Sequence, residues 1–196
     1  MKEIEVFPAT ADRFDDVALL LGPGPGREET GACWCLYYRL SSSDFNKLKG
    51  KQRPEFVRNL CAQDYAPGML AYLDGVPVGW CAIGPRAEME RLERSRTIPK
   101  VDQRPVWSLV CFVVRPGYRR RGVARALLEA AIGYARSRAV VALESYAVET
   151  SGARIRGTSA YVGTTKLFEE AGFTRILETQ GRSGGLPRWL MRLELS

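Results

Sequence analysis

The sequence predicts a mixed α/β fold in one domain, and three observations carry that expectation. An apolar, valine-rich run at 106–114 has the length and branching of a buried strand. A helical pattern follows it at 122–136, with Val123, Ala126, Leu127, Ala130 and Ala131 on one side. Around these lie further strand-like runs, and no linker, repeat or low-complexity tract divides the 196 residues.

The elements follow in order. Residues 4–7 form a short strand that Pro8 ends, and Thr10 or Asp12 can cap a helix over 12–21, with Phe14, Val17, Ala18 and Leu21 at helical spacing. Gly22-Pro23-Gly24-Pro25-Gly26 breaks the chain into a loop. The aromatic stretch 33–40 reads equally as strand or helix, and 41–44 as a cap or loop. Pro54 opens a second helix to about residue 62. The turn Asp74-Gly75 joins 68–73 and 76–83 into a hairpin. The charged segment 86–96 reads as a solvated helix or loop. After the central strand and helix come a strand at 140–148, a helix at 164–171 stopped by Gly172, and closing strands at 173–177 and 189–195 joined by a turn region at 181–187.

Composition narrows the chemistry. The chain has no histidine, so serine–histidine and cysteine–histidine nucleophiles are excluded, and a proton acceptor must be a carboxylate, tyrosine, cysteine, lysine, terminus or water. Cys33-Trp34-Cys35 resembles half a metal clamp, but no second cysteine pair completes it, so no metal is expected. Five cysteines, most among apolar neighbours, fit reduced core thiols. With no long apolar run and no signal-like start, a cytoplasmic protein without membrane contact is the expectation. The net charge of +7 favours polyanionic partners, which include nucleic acids and phosphorylated cofactors alike.

The turn between the central strand and the helix decides between these partners. Arg119-Arg120-Arg121-Gly122-Val123-Ala124-Arg125 opens a helix whose first amides lack intrahelical partners and carry the positive end of the dipole. Gly122 and Ala124 leave the backbone open to an anion, and four arginines add charge, which together make a diphosphate site. Alone, an arginine run is usually solvated or a nucleic-acid patch; between a buried strand and an amphipathic helix it is not. The spacing matches neither the P-loop nor the dinucleotide fingerprint.

Two stretches resemble the GNAT superfamily of acetyl-CoA-dependent N-acetyltransferases. Arg119-x-x-Gly122-x-Ala124, with Val114-x-Pro116-x-Tyr118 before it and Ala126-Leu127-Leu128 after it, is similar to that family's acetyl-CoA signature. Leu167-Phe168-Glu169-Glu170-Ala171-Gly172-Phe173 is similar to its C-terminal Leu-Tyr-Glu-x-x-Gly-Phe. The resemblance is strong over 106–178 and weak over 1–65. It implies a twisted, mostly antiparallel sheet of about six or seven strands, with a splayed central parallel pair and about four flanking helices. The N-terminal half (1–105) would form the acceptor side, 106–178 the acetyl-CoA core, and 173–196 the closing strands. Backbone groups of Phe112, Val113 and Val114 would bond the pantetheine arm, and amides of Arg120, Arg121, Gly122, Val123, Ala124 and Arg125 the diphosphate.

The implied reaction is acetyl transfer to a primary amine of a small molecule in a ternary complex. A protein lysine or N-terminus is the alternative acceptor, and a non-catalytic CoA sensor or basic nucleic-acid module is the second alternative. A backbone N–H near Val113 would polarise the thioester. Glu144 matches a strand glutamate that serves as base in some relatives, and a carboxylate among apolar strands would be raised toward a useful pKa; a solvent-facing or cation-binding glutamate is the plainer reading. Phe168 stands where the family commonly has tyrosine, so the proton donor passes to Tyr161, with Tyr146 second and water third. Trp34, Tyr37, Tyr38 and Arg39 read as core or as acceptor wall. Leu186, Trp189 and Leu190 read as core strand or as the surface of a homodimer.

Overall fold

Among the described residues seven strands pair into one sheet and set the architecture. The computed structural model describes residues 3–23, 32–152 and 161–195. Strands β1 (Ile4–Pro8), β2 (Gly68–Leu73), β3 (Val76–Pro85), β4 (Trp107–Val114), β5 (Ala142–Val148), β6 (Thr174–Ser183) and β7 (Leu186–Glu194) form one sheet in the order β1-β2-β3-β4-β5-β7-β6. Every neighbouring pair is antiparallel except β4 and β5, which run parallel. A hydrophobic cluster covers each face, so β2 through β5 read as nearly continuous apolar runs.

Helices close both faces. On one lie α1 (Phe14–Leu21), α2 (Ser42–Lys47) and α3 (Gln52–Cys61), contributing Phe14, Val17 and Val57 to the core. On the other lie α5 (Val123–Ser137) and α6 (Thr165–Glu170). The short α4 (Glu90–Glu93) follows β3. Leu127, Leu128 and Ile132 of α5 are buried, each stabilising the fold by about 2 kcal/mol. That close packing depends on Gly79 of β3, where a Cβ would stand 2.6 Å from Val123 Cγ1. Among the described residues no helix is long and apolar enough to cross a membrane.

Four details depart from the sequence expectation. Helices α2 and α4 span six and four residues, too short to show a period, although Ser41 does cap α2 by accepting from the Asp44 N–H at 3.0 Å. Residues 33–40 are neither strand nor helix, because Trp34 (φ 52°) and Cys35 (φ 53°) turn the chain through the left-handed region. The segment 86–96 is not merely solvated: Arg86, Met89 and Leu92 are buried. Strands β6 and β7 extend through most of the expected turn region, leaving Gly184 and Gly185 as the turn. Of the residues read as core or pairing surface, Trp34, Tyr38, Arg39 and Leu190 are buried, while Tyr37 is 43% exposed.

Candidate active site

The site begins where two strands part. The parallel ladder between β4 and β5 runs from Trp107↔Leu143 to Leu109↔Ser145 and stops there. On the other side of β4, Ala82 faces Cys111 while Ile83 faces Leu109, so Val110 is an extra residue that bends the strand away. Beyond it, residues 110–114 have no β5 partner. The chain at 161–164 enters the gap: the Phe112 N–H donates to the Tyr161 carbonyl at 2.5 Å, and the Val148 N–H to the Gly163 carbonyl at 3.0 Å. The Arg115 N–H donates to Val78 of β3 at 2.9 Å. By strand alternation the Val113 amide also faces β3, and the Val114 amide faces the gap.

At the open end of β4 the backbone turns three times through positive φ, at Gly117 (88°), Arg120 (61°) and Gly122 (86°), and delivers the chain into α5. The Ala126 N–H is bonded to the Gly122 carbonyl at 3.0 Å, so the amides of Val123, Ala124 and Arg125 precede the intrahelical ladder. Such a sequence of turns followed by bare helix amides is an anion cradle, strengthened by the helix dipole. Arg119 folds back to the Val114 carbonyl, and Arg125 pairs with Glu170 on α6.

Between the parted strands and this turn lies a cavity of about 640 Å³. Of the residues expected to hold a cofactor, Phe112, Val113, Val114, Arg119, Arg120, Gly122, Val123, Ala124 and Arg125 line it. Arg121 does not; its guanidinium lies 5.6 Å from the Tyr118 ring centroid. Tyr118, Gly163, Thr164 and Leu167 line the cavity as well. Tyr118 sat inside the recognised motif, and Thr164 was legible as a helix start; its hydroxyl accepts from the Leu167 N–H at 3.3 Å.

The proposed proton carriers fall in different places. Tyr161 lines the cavity, with its hydroxyl 3.4 Å from that of Tyr38. Burial, and then the neighbouring Tyr38, push its pKa above the ordinary tyrosine value, so it stays protonated at neutral pH. Phe168 is sealed in the core between Phe112 and Phe173, with ring centroids at 6.0 and 5.1 Å, and is not among the residues lining this cavity.

Glu144 stands elsewhere. It pairs in register with Ser108, four residues and on the order of 13 Å along β4 from Phe112, within the closed part of the ladder. Its surroundings are not apolar, which corrects the sequence expectation. Arg86 Nη1 donates to it at 3.2 Å, Arg192 Nη2 at 2.6 Å and the Tyr146 hydroxyl at 3.1 Å. Arg86 also bonds Glu93 at 3.1 Å, and Arg192 reaches Asp102. Burial, and then the Glu144 charge, raise the Tyr146 phenol above its ordinary value, and its hydroxyl lies 2.8 Å from Ser108 Oγ. Little in the sequence warns of this network. Its sign was charge inside otherwise apolar strands, Arg192 in β7 and Glu144 in β5.

The turn thus sets an anion cradle at the mouth of the parted strands, and the Tyr161 ring lines the same cavity. Residues 34–156 match the acetyltransferase (GNAT) family, and the chain belongs to it. That family uses acetyl-CoA. Solved structures agree on the fold. A GNAT-family acetyltransferase from Streptococcus pneumoniae superposes with a TM-score of 0.57 at 18% identity, covering 99% of this chain and 100% of that one. The Drosophila melanogaster polyamine N-acetyltransferase gives 0.55 at 13% identity, covering 98% and 100%. Ard1 from Thermoplasma volcanium gives 0.53 at 13%, covering 98% of each. No curated protein sequence matches the chain.

Proposed function

We propose that this acyltransferase moves the acetyl group of acetyl-CoA to a primary amine of a small molecule, with both substrates bound at once. The observation that carries the reading is the cavity of about 640 Å³ running from bare helix amides to the gap between β4 and β5. The residues present fit the donor. Amides 123–125 with Arg119, Arg120 and Arg125 would hold the diphosphate, and the wall made by Gly163, Thr164 and Leu167 would flank the arm. When bound, the donor supplies an activated thioester. In this reading residues 1–105 build the acceptor side and 106–178 the donor side.

The chain's own residues divide the remaining work. The Val114 N–H, facing the gap, donates to the thioester oxygen as charge gathers there. Tyr161 donates its proton to sulfur as the carbon–sulfur bond breaks and the amine nitrogen bonds the acetyl carbon. Among the described residues no carboxylate lines the cavity, and the chain has no histidine; in this reading the amine loses its proton to water, and water restores the phenol. Glu144, closed in by two arginines, holds the sheet rather than the substrate. Tyr38, buried in the core, stands beside Tyr161 and narrows that side of the cavity, which favours a slender amine over a folded protein surface.

The test is thiol release from acetyl-CoA with a panel containing polyamines, amino-acid amides, aminoglycosides and peptides with a free N-terminus or a lysine. A small amine should turn over fastest, with a rate that climbs with pH until that amine is neutral. Turnover of peptides alone would overturn the choice of acceptor. Calorimetric titration with CoA and with duplex DNA completes the experiment, since binding of DNA without CoA would mean that the cradle holds a different polyanion.

A further inference from the structure

Behind Tyr161 lies a chain of hydroxyl groups that ends on a buried arginine. Tyr161 and Tyr38 hydroxyls are 3.4 Å apart, and Arg188 Nη1 is 2.8 Å from the Tyr38 hydroxyl. Arg188 sits on β7, 4% exposed, and its Nε is fixed on the Tyr146 carbonyl at 2.9 Å. The guanidinium is also 5.9 Å from the Tyr38 ring centroid.

The direction of these bonds can be worked out from chemistry alone. A guanidinium has donors and no acceptor, so the Tyr38 oxygen must accept from Arg188. The Tyr38 proton is then left to go elsewhere. Tyr38 is 7% exposed, and among the described residues the Tyr161 oxygen is the acceptor recorded beside its hydroxyl. A buried hydroxyl left without an acceptor is costly, so that proton belongs on the Tyr161 oxygen. Tyr161, accepting from Tyr38, keeps its own proton free, and the cavity it lines is where that proton points.

We infer that Arg188 and Tyr38 are positioning residues: together they aim the Tyr161 proton into the cavity and stabilise the oxygen left behind. The inference rests on the proposed role of Tyr161 as the proton donor. Arg188 acts at one remove. Its charge reaches the Tyr161 oxygen through Tyr38 and opposes the effect of burial on that phenol. Neither residue touches substrate. The arrangement also accounts for how a chain with Phe168 in its core can still deliver a proton at the splay, from a different segment.

The experiment is a double-mutant cycle on Tyr161→Phe and Tyr38→Phe. Turnover is followed by thiol release from acetyl-CoA with the fastest panel amine, and separately with water as acceptor. CoA titration and thermal unfolding confirm that each variant is folded. Tyr38→Phe should lower kcat on the order of tenfold while leaving the KM for acetyl-CoA within about twofold. In the Tyr161→Phe background it should lower kcat no further, because it acts only through that phenol. Should Tyr38→Phe not fold, Arg188→Lys serves in its place. It keeps a charge but loses the fixed fork, and it should also lose its effect once Tyr161 is phenylalanine. An equal loss in both backgrounds would make Tyr38 a packing residue and overturn the inference. A slow Tyr161→Phe with an undiminished Tyr38→Phe would overturn the chain but leave Tyr161 as the donor. An undiminished Tyr161→Phe would remove the donor assignment, and the chain with it.

Discussion

Replacing Glu144 by glutamine should damage the fold far more than the chemistry. The carboxylate is 1% exposed and accepts from Arg86 at 3.2 Å, Arg192 at 2.6 Å and Tyr146 at 3.1 Å. Breaking one side of a buried ion pair typically costs about 3–5 kcal/mol, because the surviving charge is left without its counter-ion in a poor solvent. Here each arginine keeps a second carboxylate, Glu93 for Arg86 and Asp102 for Arg192, which places the loss near the lower end, about 3 kcal/mol. For a chain of this size, that corresponds to a fall of roughly 6–12 °C in the unfolding midpoint. Glu144→Gln should therefore unfold early by calorimetry, while kcat measured well below the midpoint changes less than about threefold. A midpoint within a degree of the parent, joined to a kcat lowered about a hundredfold, would refute the reasoning and return Glu144 to the role of base.

Two further outcomes are expected. Gly122→Ala puts a side chain at φ 86°, where the nearest protein atom to the new Cβ is Ile4 Cδ1 at 3.9 Å. The protein should lose about 1–2 kcal/mol to backbone strain, and CoA affinity by calorimetry should fall at least roughly tenfold; an unchanged affinity would mean that the diphosphate lies elsewhere. Asp102 is held below its ordinary value of 3.8, chiefly because Arg192 donates to it. Its contribution to stability is thus complete above that value and lost as pH falls through the lowered one. The midpoints of Asp102→Asn and the parent should converge on acidification below about pH 4, and a gap that stays constant to pH 2 would contradict the pairing.

The turn proposed to hold the donor was legible in the sequence because its shape is made by backbone. A turn that needs Gly122, followed by a helix that opens on small residues, leaves a pattern that can be read without knowing what packs on it. The hairpin at Asp74-Gly75 and the periods of α1 and α5 were legible for the same reason, each being written in local residues. What could not be read was assembled across the chain. Arg86, Asp102, Glu144 and Arg192 come from four separate segments, and Arg188, Tyr38 and Tyr161 from three, so no spacing links them. The segment 33–40 was ambiguous because its shape is set by two left-handed residues, Trp34 and Cys35, neither of which carries the usual glycine signal.

The placement of β7 between β5 and β6 has a consequence for the birth of the molecule. Among the described strands it is the last to be synthesised, yet it bridges two strands made before it. On the ribosome, β5 must wait with one edge bare until residues 186–194 emerge and slot in beside it. The β5-β7-β6 side of the sheet therefore matures last, and the stages before that insertion are when the nascent chain is most exposed to strand-swapping with its neighbours.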